Sequence, residues 1–293
     1  MQLKAELDCI PCILQQTINY VRHFTSDHNL QRTIINRVLH LLQETSLDVT
    51  PPELAKRVYR LINDITRVED PFRKIRQKDN QTILKMYQNL KNIIYDNSDP
   101  IKTAAKLAIA GNIIDYGANN GKIHMDLISK NINQVDLAVN HLDKFLKDLD
   151  GINHVLYLAD NAGELVLDKL FIEMIRKFHI SNDFTITVVV RGEPVINDAI
   201  IDDAKYIGMD KVAHIIDNGD DTPGTILKNC STEMKKYYHE ADLIISKGQG
   251  NYETLNDENK LIYFFLQAKC PIIANNIGVQ IGDLVLMKTQ NCR

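Results

Sequence analysis

The sequence predicts an α/β protein: a mostly parallel sheet covered by helices, preceded by an all-helical N-terminal domain. Three observations carry this prediction. Residues 1–150 hold apolar residues at three-and-four spacing in five segments, with few strand-like runs. Residues 151–293 alternate short continuous apolar runs with helical patterns, as strand–helix–strand units do. Each of those runs ends in a cluster of Asp, Asn, Arg or Lys, mostly with glycine close behind. On a parallel sheet all such clusters fall on one edge, where open α/β sheets bind their ligands.

In chain order, helices are predicted over 13–24, 31–45, 52–68, 79–92 and 99–110. Pro51-Pro52 and Asp99-Pro100 mark two helix starts, because proline is tolerated in a first turn but not in a helix interior. The second domain, 151–293, is expected to place strands at 155–159, 185–190, 211–216, 243–246 and 271–274. Helices over 164–178, 195–207, 232–240 and 259–268 separate or flank them.

Composition excludes several classes. The 293 residues are 44% hydrophobic and 25% charged, and 34 Lys and Arg against 38 Asp and Glu leave a net charge of −4. A nucleic-acid-binding surface calls for a basic excess that is absent here. No apolar stretch approaches the ~20 residues of a membrane span. Charges at Lys4, Glu6 and Asp8 occupy the place of a signal-peptide core, so a cytoplasmic location is expected. Five irregularly placed cysteines suit a reducing compartment.

The most informative segment is Asp160-Asn161-Ala162-Gly163-Glu164, between the apolar run 155–159 and a helical pattern. Asp160, Asn161 and Asp198 offer two carboxylates and an amide carbonyl, a partial shell for a hard cation such as Mg²⁺ or Mn²⁺. Lys247 supplies a compact cation for a phosphate oxygen, and Arg191 a bidentate donor. Gly248 and Gly250 would let the backbone approach an anion. Asp or Asn after a strand also serves as a plain helix N-cap, and a single Ser-Lys-Gly-x-Gly turn is common. The set exceeds its members, since capping does not require Asp, Lys, Arg and glycine-rich loops on one rim.

With these residues assembled, the chain resembles the damage-control phosphatase family, metal-dependent phosphatases first catalogued as a domain of unknown function. The resemblance runs from Asp8-Cys9-Ile10-Pro11-Cys12 through Asp70-Pro71-Phe72, Asn80 and Gly111-Asn112-Ile113-Ile114-Asp115. It continues through Asp160–Glu164, Arg191-Gly192, Asn197-Asp198 and the segment Lys247-Gly248-Gln249-Gly250-Asn251-Tyr252-Glu253. The Cys-x-x-Cys start is similar to that of the smaller prokaryotic branch, implying an archaeal or bacterial source. The resemblance implies a three-layer α/β/α domain beside a helical one, with a metal held by Asp160, Asn161 and Asp198. It implies Mn²⁺, Mg²⁺, Co²⁺ or Ni²⁺ as cofactor and a small phosphorylated metabolite as substrate, such as a sugar phosphate. Catalytic roles fall to Asp160, Asn161, Asp198 and Lys247, with metal-activated water attacking the phosphate monoester. Glu164, Arg191, Asn197, Gly248, Gly250 and Asn251 are expected at the substrate, joined from the helical side by Asn112 and Asp115. Phe72 and Arg76 depart from the family's usual Tyr and Lys, and the larger eukaryotic branch's C-terminal Arg-Thr-x-Lys is absent.

Other classes compete with this reading. Asp160 as a covalent nucleophile would replace the water. An S-adenosylmethionine-dependent carboxyl methyltransferase would want an acid ending the next strand, where this chain has Arg191. A non-catalytic phosphometabolite binder would keep the pocket without turnover. Cys9 and Cys12 are spaced like half a zinc site or a redox pair, but no second pair completes a zinc site, since Cys230, Cys270 and Cys292 are far apart, and the motif opens a helix instead of following a strand. Packing near the domain junction and facing the active site fit these two cysteines equally well. Oligomeric state has no signature in the sequence.

Overall fold

The computed structural model describes residues 3–111, 132, 136–178 and 184–289. Five helices come first: α1 (Cys9–Phe24), α2 (His28–Glu44), α3 (Pro51–Thr66), α4 (Arg73–Tyr95) and α5 (Pro100–Ala110). Local chemistry starts three of them. Asp27 caps Asn29 and Leu30 N–H, Thr50 and Glu53 form a capping box behind Pro51, and Asp99 caps Lys102 N–H beside Pro100.

The chain then alternates: β1 (Val139–Asn140), α6 (Leu142–Asp148), β2 (His154–Leu158), α7 (Glu164–Phe178), β3 (Thr185–Val190) and α8 (Ile201–Tyr206). There follow β4 (His214–Asp217), α9 (Thr232–Glu240), β5 (Leu243–Lys247), α10 (Gln249–Leu255), β6 (Ile262–Gln267), α11 (Pro271–Ile277) and β7 (Leu284–Lys288). The seven strands form one sheet in the order β1-β7-β6-β5-β2-β3-β4. Strands β2 to β6 are mutually parallel, and β7 runs antiparallel to β6. The expected mostly parallel α/β architecture is therefore present.

Alternation along the strands separates two cores. Val155, Tyr157, Val188, Ile245 and Phe265 face one layer, packed with α4, α5, α6, α7 and α8. Leu156, Leu158, Ile244, Phe264 and Leu266 face the other, packed with α9, α10 and α11. Helices α1, α2 and α3 build a third core that also takes in Val195 and touches Ile196, both in the loop before α8, and Ile272 in the first turn of α11. Packing runs across residue 150: β1 and α6 belong to the sheet layers, α5 covers the sheet, and α4 packs on α5 and α7 while its Ile75 also touches the bundle of α1–α3. No described helix is long and apolar enough to cross a membrane.

Three expectations are corrected. The segment 259–268 holds strand β6 (Ile262–Gln267) and no helix, because a central strand buried on both faces is apolar without alternation. Residues 271–274 open helix α11, with Pro271 in its first turn, so Asn275-Asn276 does not end a strand. The helix expected over 195–207 begins at Ile201; its first part is an irregular loop carrying Asn197 and Asp198.

Ion pairs tie the helical bundle to the sheet. Lys56 bonds Asp220 and Asp221, and Arg60 grips Asp221 in a fork at 2.6 and 2.8 Å. Burial alone would raise the Asp221 carboxyl, but Arg60 and Lys56 outweigh it and draw the group down to about 2. A depressed carboxylate adds stability above its unfolded value of 3.8 and loses it as pH falls through about 2. Asp221→Asn should therefore cost about 1–2 kcal/mol at neutral pH. In thermal melts its deficit should vanish between about pH 4 and 2; a deficit independent of pH would contradict this.

Candidate active site

Strand order reverses between β2 and β5: the chain leaves β2 toward β3 and β4, then returns to place β5 and β6 on the other side. The crevice outside the carboxyl ends of these two strands is the topological switch point. Asp160 follows β2 there, and Lys247 ends β5.

The loop before α8 folds back onto the end of β2. Asn161 and Asp198 form an antiparallel bridge, Ala162 N–H donates to Asn197 O at 2.9 Å, and Ala199 N–H donates to Asp160 O at 2.8 Å. This brings Asp160, Asn161, Asn197 and Asp198 together. The loop needs Ile196 at φ 39°, a left-handed conformation unfavourable for a β-branched side chain.

Arg191 organises the cluster from beneath. Its Nε donates to Asp198 Oδ2 at 2.6 Å and one terminal nitrogen to Gly224 O at 2.9 Å, with Asn251 Oδ1 at 3.3–3.4 Å and Asp160 Oδ1 at 3.9 Å. Asn251 closes the network: it accepts from Thr225 Oγ1 at 2.8 Å and donates to Lys247 O at 2.8 Å and Ala159 O at 3.3 Å. Both side chains are buried, Asn251 completely. They brace the loops and are not aimed at open space, which departs from the substrate contacts expected of them.

Lys247 also departs from expectation. Fully buried, its ammonium donates to Ala108 O at 2.9 Å, Glu164 Oε1 at 2.5 Å and Asp168 Oδ1 at 2.6 Å. Tyr157 OH donates to the same Asp168 oxygen at 2.6 Å. Burial would lower the lysine, but Asp168 and Glu164 outweigh it and hold it charged. Glu164, likewise buried, turns its other oxygen toward the Asn161 amide nitrogen at 3.4 Å.

Gly248 and Gly250 accommodate the protein itself. A Cβ on Gly248, at φ +78°, would sit 2.1 Å from Asp160 Oδ2, and one on Gly250 would sit 2.1 Å from Pro223 O. The glycine after β5 thus lets the backbone press against the Asp160 carboxylate. Asn112 and Asp115 lie outside the described residues.

The electrostatics are lopsided. Burial, then Asp198, then Glu164 push the Asp160 carboxyl up to about 8, against smaller opposing effects of Lys269 and Arg191. Asp160 is also the most open of these acids, its side chain 12% exposed. Asn161 spends its amide nitrogen on Asp160 Oδ2 at 2.9 Å, so its carbonyl oxygen is what it can offer a cation. Among the described residues, no three His, Cys, Asp or Glu side chains cage a metal by themselves. Two carboxylates and an amide form a hard, incomplete oxygen shell, which fits an ion that keeps positions for water and substrate.

Sequence reasoning missed Asp168 and the role of Asp203. Asp168 stands one helical turn after Glu164, among the apolar residues Leu165, Leu167, Phe171 and Ile172 of α7, and a charge within that apolar stripe was its signal. Asp203 binds Arg76 Nε at 2.8 Å and Asn80 Nδ2 at 2.9 Å, while Asn80 Oδ1 accepts Gly163 N–H at 2.7 Å. Arg76 also grips Asp70 through two 2.8 Å bonds, and through Asp203 and Gly163 α4 is fixed to α8 and to the turn before α7. Beside this network opens a cavity of about 1180 Å³, lined by Arg67, Arg73, Glu193 and Pro194 among others.

A family model described as the damage-control phosphatase ARMT1-like domain matches residues 5–285. An uncharacterized protein of Methanocaldococcus jannaschii is 34% identical over 98% of this chain and 96% of its own. A damage-control phosphatase of Archaeoglobus fulgidus is 34% identical over 94% of this chain and 96% of its own. The crystal structure of a DUF89 family protein from Pyrococcus horikoshii superposes with a TM-score of 0.90 at 28% identity, covering 98% of this chain and all of that one.

Proposed function

The chain belongs to the damage-control phosphatase ARMT1-like family, and on that premise we propose that it is a metal-dependent phosphomonoesterase acting on small phosphorylated metabolites. The observation that carries the reading is the gathering of Asp160, Asn161 and Asp198 at the switch point, where burial, Asp198 and Glu164 oppose the ionisation of Asp160 by more than Lys269 and Arg191 offset. A divalent ion such as Mg²⁺, Mn²⁺, Co²⁺ or Ni²⁺ would be held by Asp160, Asn161 and Asp198. When bound, it supplies Lewis-acid polarisation of a phosphoryl oxygen and a lowered pKa for water.

The remaining work belongs to the protein's own groups. Arg191 fixes the Asp198 carboxylate, so the loop before α8 presents its acid at one place. Lys247 neutralises Glu164 and Asp168 and pins the first turn of α7 to β5. Arg191 at the end of β3 also occupies the position where a methyltransferase wants a ribose-binding acid, which disfavours that alternative.

The test is phosphate release from an aryl phosphate and a panel of sugar phosphates by metal-stripped protein, with each ion added back. Activity should be absent after chelation and return with metal. Full activity in the presence of chelator would overturn the proposal.

A further inference from the structure

Asn80 and Asp203 are buried, and neither belongs to the oxygen shell at Asp160. They nevertheless join the two chain segments that supply that shell. Asp160 and Asn161 stand just before the Ala162-Gly163 turn, and Asp198 stands two residues before Ile200, the N-cap of α8. Asn80 of α4 accepts the Gly163 N–H through Oδ1 at 2.7 Å and donates through Nδ2 to Asp203 Oδ1 at 2.9 Å. The other Asp203 oxygen accepts the Ile200 N–H at 3.2 Å and the Arg76 Nε–H at 2.8 Å. One amide and one carboxylate thus bridge the turn after Asn161 to the start of α8. On the site side, Ala199 N–H donates to Asp160 O at 2.8 Å and closes the bridge into a ring.

Two features give this ring more than a packing role. The loop that carries Asp198 is strained at Ile196, where φ is 39°, and such a conformation persists only where the surroundings over-determine it. Val195 and Ile196 anchor one end of that loop in the core of α1–α3, and Asp203 anchors the other end, so Asp198 lies between two fixed points. Helix α4 also lies hard against the other ligand segment: a Cβ on Gly163 would stand 3.0 Å from Asp79 Cβ. Asp70 holds Arg76 through two 2.8 Å bonds, which fixes the helix from which the bridge hangs.

We propose that Asn80 and Asp203 are positioning residues for the divalent ion: through Gly163 and Ile200 they set how Asp160 and Asn161 face Asp198, so α4 governs metal affinity without supplying a ligand. The inference rests on the assignment of Asp160, Asn161 and Asp198 to the metal. Both residues act through backbone N–H groups, in the way that partners behind a metal's ligands fix the geometry of the ligands themselves.

Titration of metal-stripped protein with Mn²⁺, with the free ion read by electron paramagnetic resonance, tests this without turnover. Asn80→Asp sets two carboxylates against each other, and Asp203→Asn sets an amide N–H against either the Asn80 amide or Arg76. Each variant, shown to be folded by circular dichroism, should bind Mn²⁺ about 10-fold more weakly or worse. Combining Asn80→Asp with Asp203→Asn reverses the bridge. The carboxylate at position 80 then accepts both the Gly163 N–H and the amide at position 203, whose oxygen keeps Ile200 and Arg76. The double variant should therefore recover most of the lost affinity, a rescue that a merely stabilising role does not predict. If the single variants fail to fold, the wild type decides: Mn²⁺ should slow hydrogen exchange at the Gly163 and Ile200 amides. Folded single variants with wild-type affinity, a double variant as weak as the singles, or exchange at both amides unchanged by Mn²⁺ would each overturn the proposal. Wild-type protein that binds no Mn²⁺ would instead overturn the metal site, and this inference with it.

Discussion

Asp160→Asn is expected to lower metal-restored phosphate release by at least about 10³-fold while leaving the metal-free protein as stable as wild type or more so. Asparagine keeps the shape of the side chain and its fit against Gly248, whose backbone leaves no space for added bulk. What it removes is a negative charge from a buried cluster in which Asp198 and Glu164 already oppose ionisation. Loss of function and gain of stability then share one cause: a group held at a cost to folding because the chemistry uses it. Thermal melts with and without Mn²⁺ complete the test. Wild type should gain stability on adding metal and the variant should gain little. Activity within tenfold of wild type would remove Asp160 from the proposed mechanism.

Lys247→Met should destabilise the fold by about 3–5 kcal/mol, because it strands two carboxylates in the core. Glu164 and Asp168 are 1% and 0% exposed, and the ammonium they share is their common counter-charge. Burial already holds Asp168 up at about 6 with that lysine present. Removing the lysine forces protonation of the acids or opening of the helix–sheet contact. Equilibrium urea unfolding measures the cost, and Lys247→Met combined with Asp168→Asn should recover part of it. Loss of activity at unchanged stability would instead show Lys247 acting at the phosphate, the role its position at a strand end suggests.

That contrast shows where the sequence was readable. Strand Thr185–Val190 and helices Glu164–Phe178 and Thr232–Glu240 match their expected bounds because their patterns have a single interpretation. Short apolar runs do not, so β6 read as helix and the start of α11 as strand. Strand β1, two residues long, has no pattern to read. The helix expected over 195–207 follows real three-and-four spacing, but Val195 serves the helical bundle and Ala199 the sheet core. At the site, the gathering of Asp160, Asn161 and Asp198 was legible because two neighbouring parallel strands end there. The direction of Lys247, Arg191 and Asn251 was not, since a polar residue after a strand can turn outward to ligand or inward to brace a loop. Only the partners decide, and Asp168, Thr225 and Ala159 are remote from them in sequence.

The late arrival of β5 bears on how the chain folds. Strands β2, β3 and β4 can pair as soon as residue 217 is available, yet β5, their neighbour on the other side of β2, begins at Leu243. Until it docks, β2 presents an open apolar edge, and Glu164 and Asp168 wait without their lysine. Such an edge invites pairing with another chain, which makes the interval before β5 inserts the aggregation-prone stage of folding. Docking of one strand then completes the sheet, supplies the buried counter-charge and brings Gly248 against Asp160 in the same event. Catalytic competence and cooperative stability should therefore emerge together in refolding, with no partly folded form active.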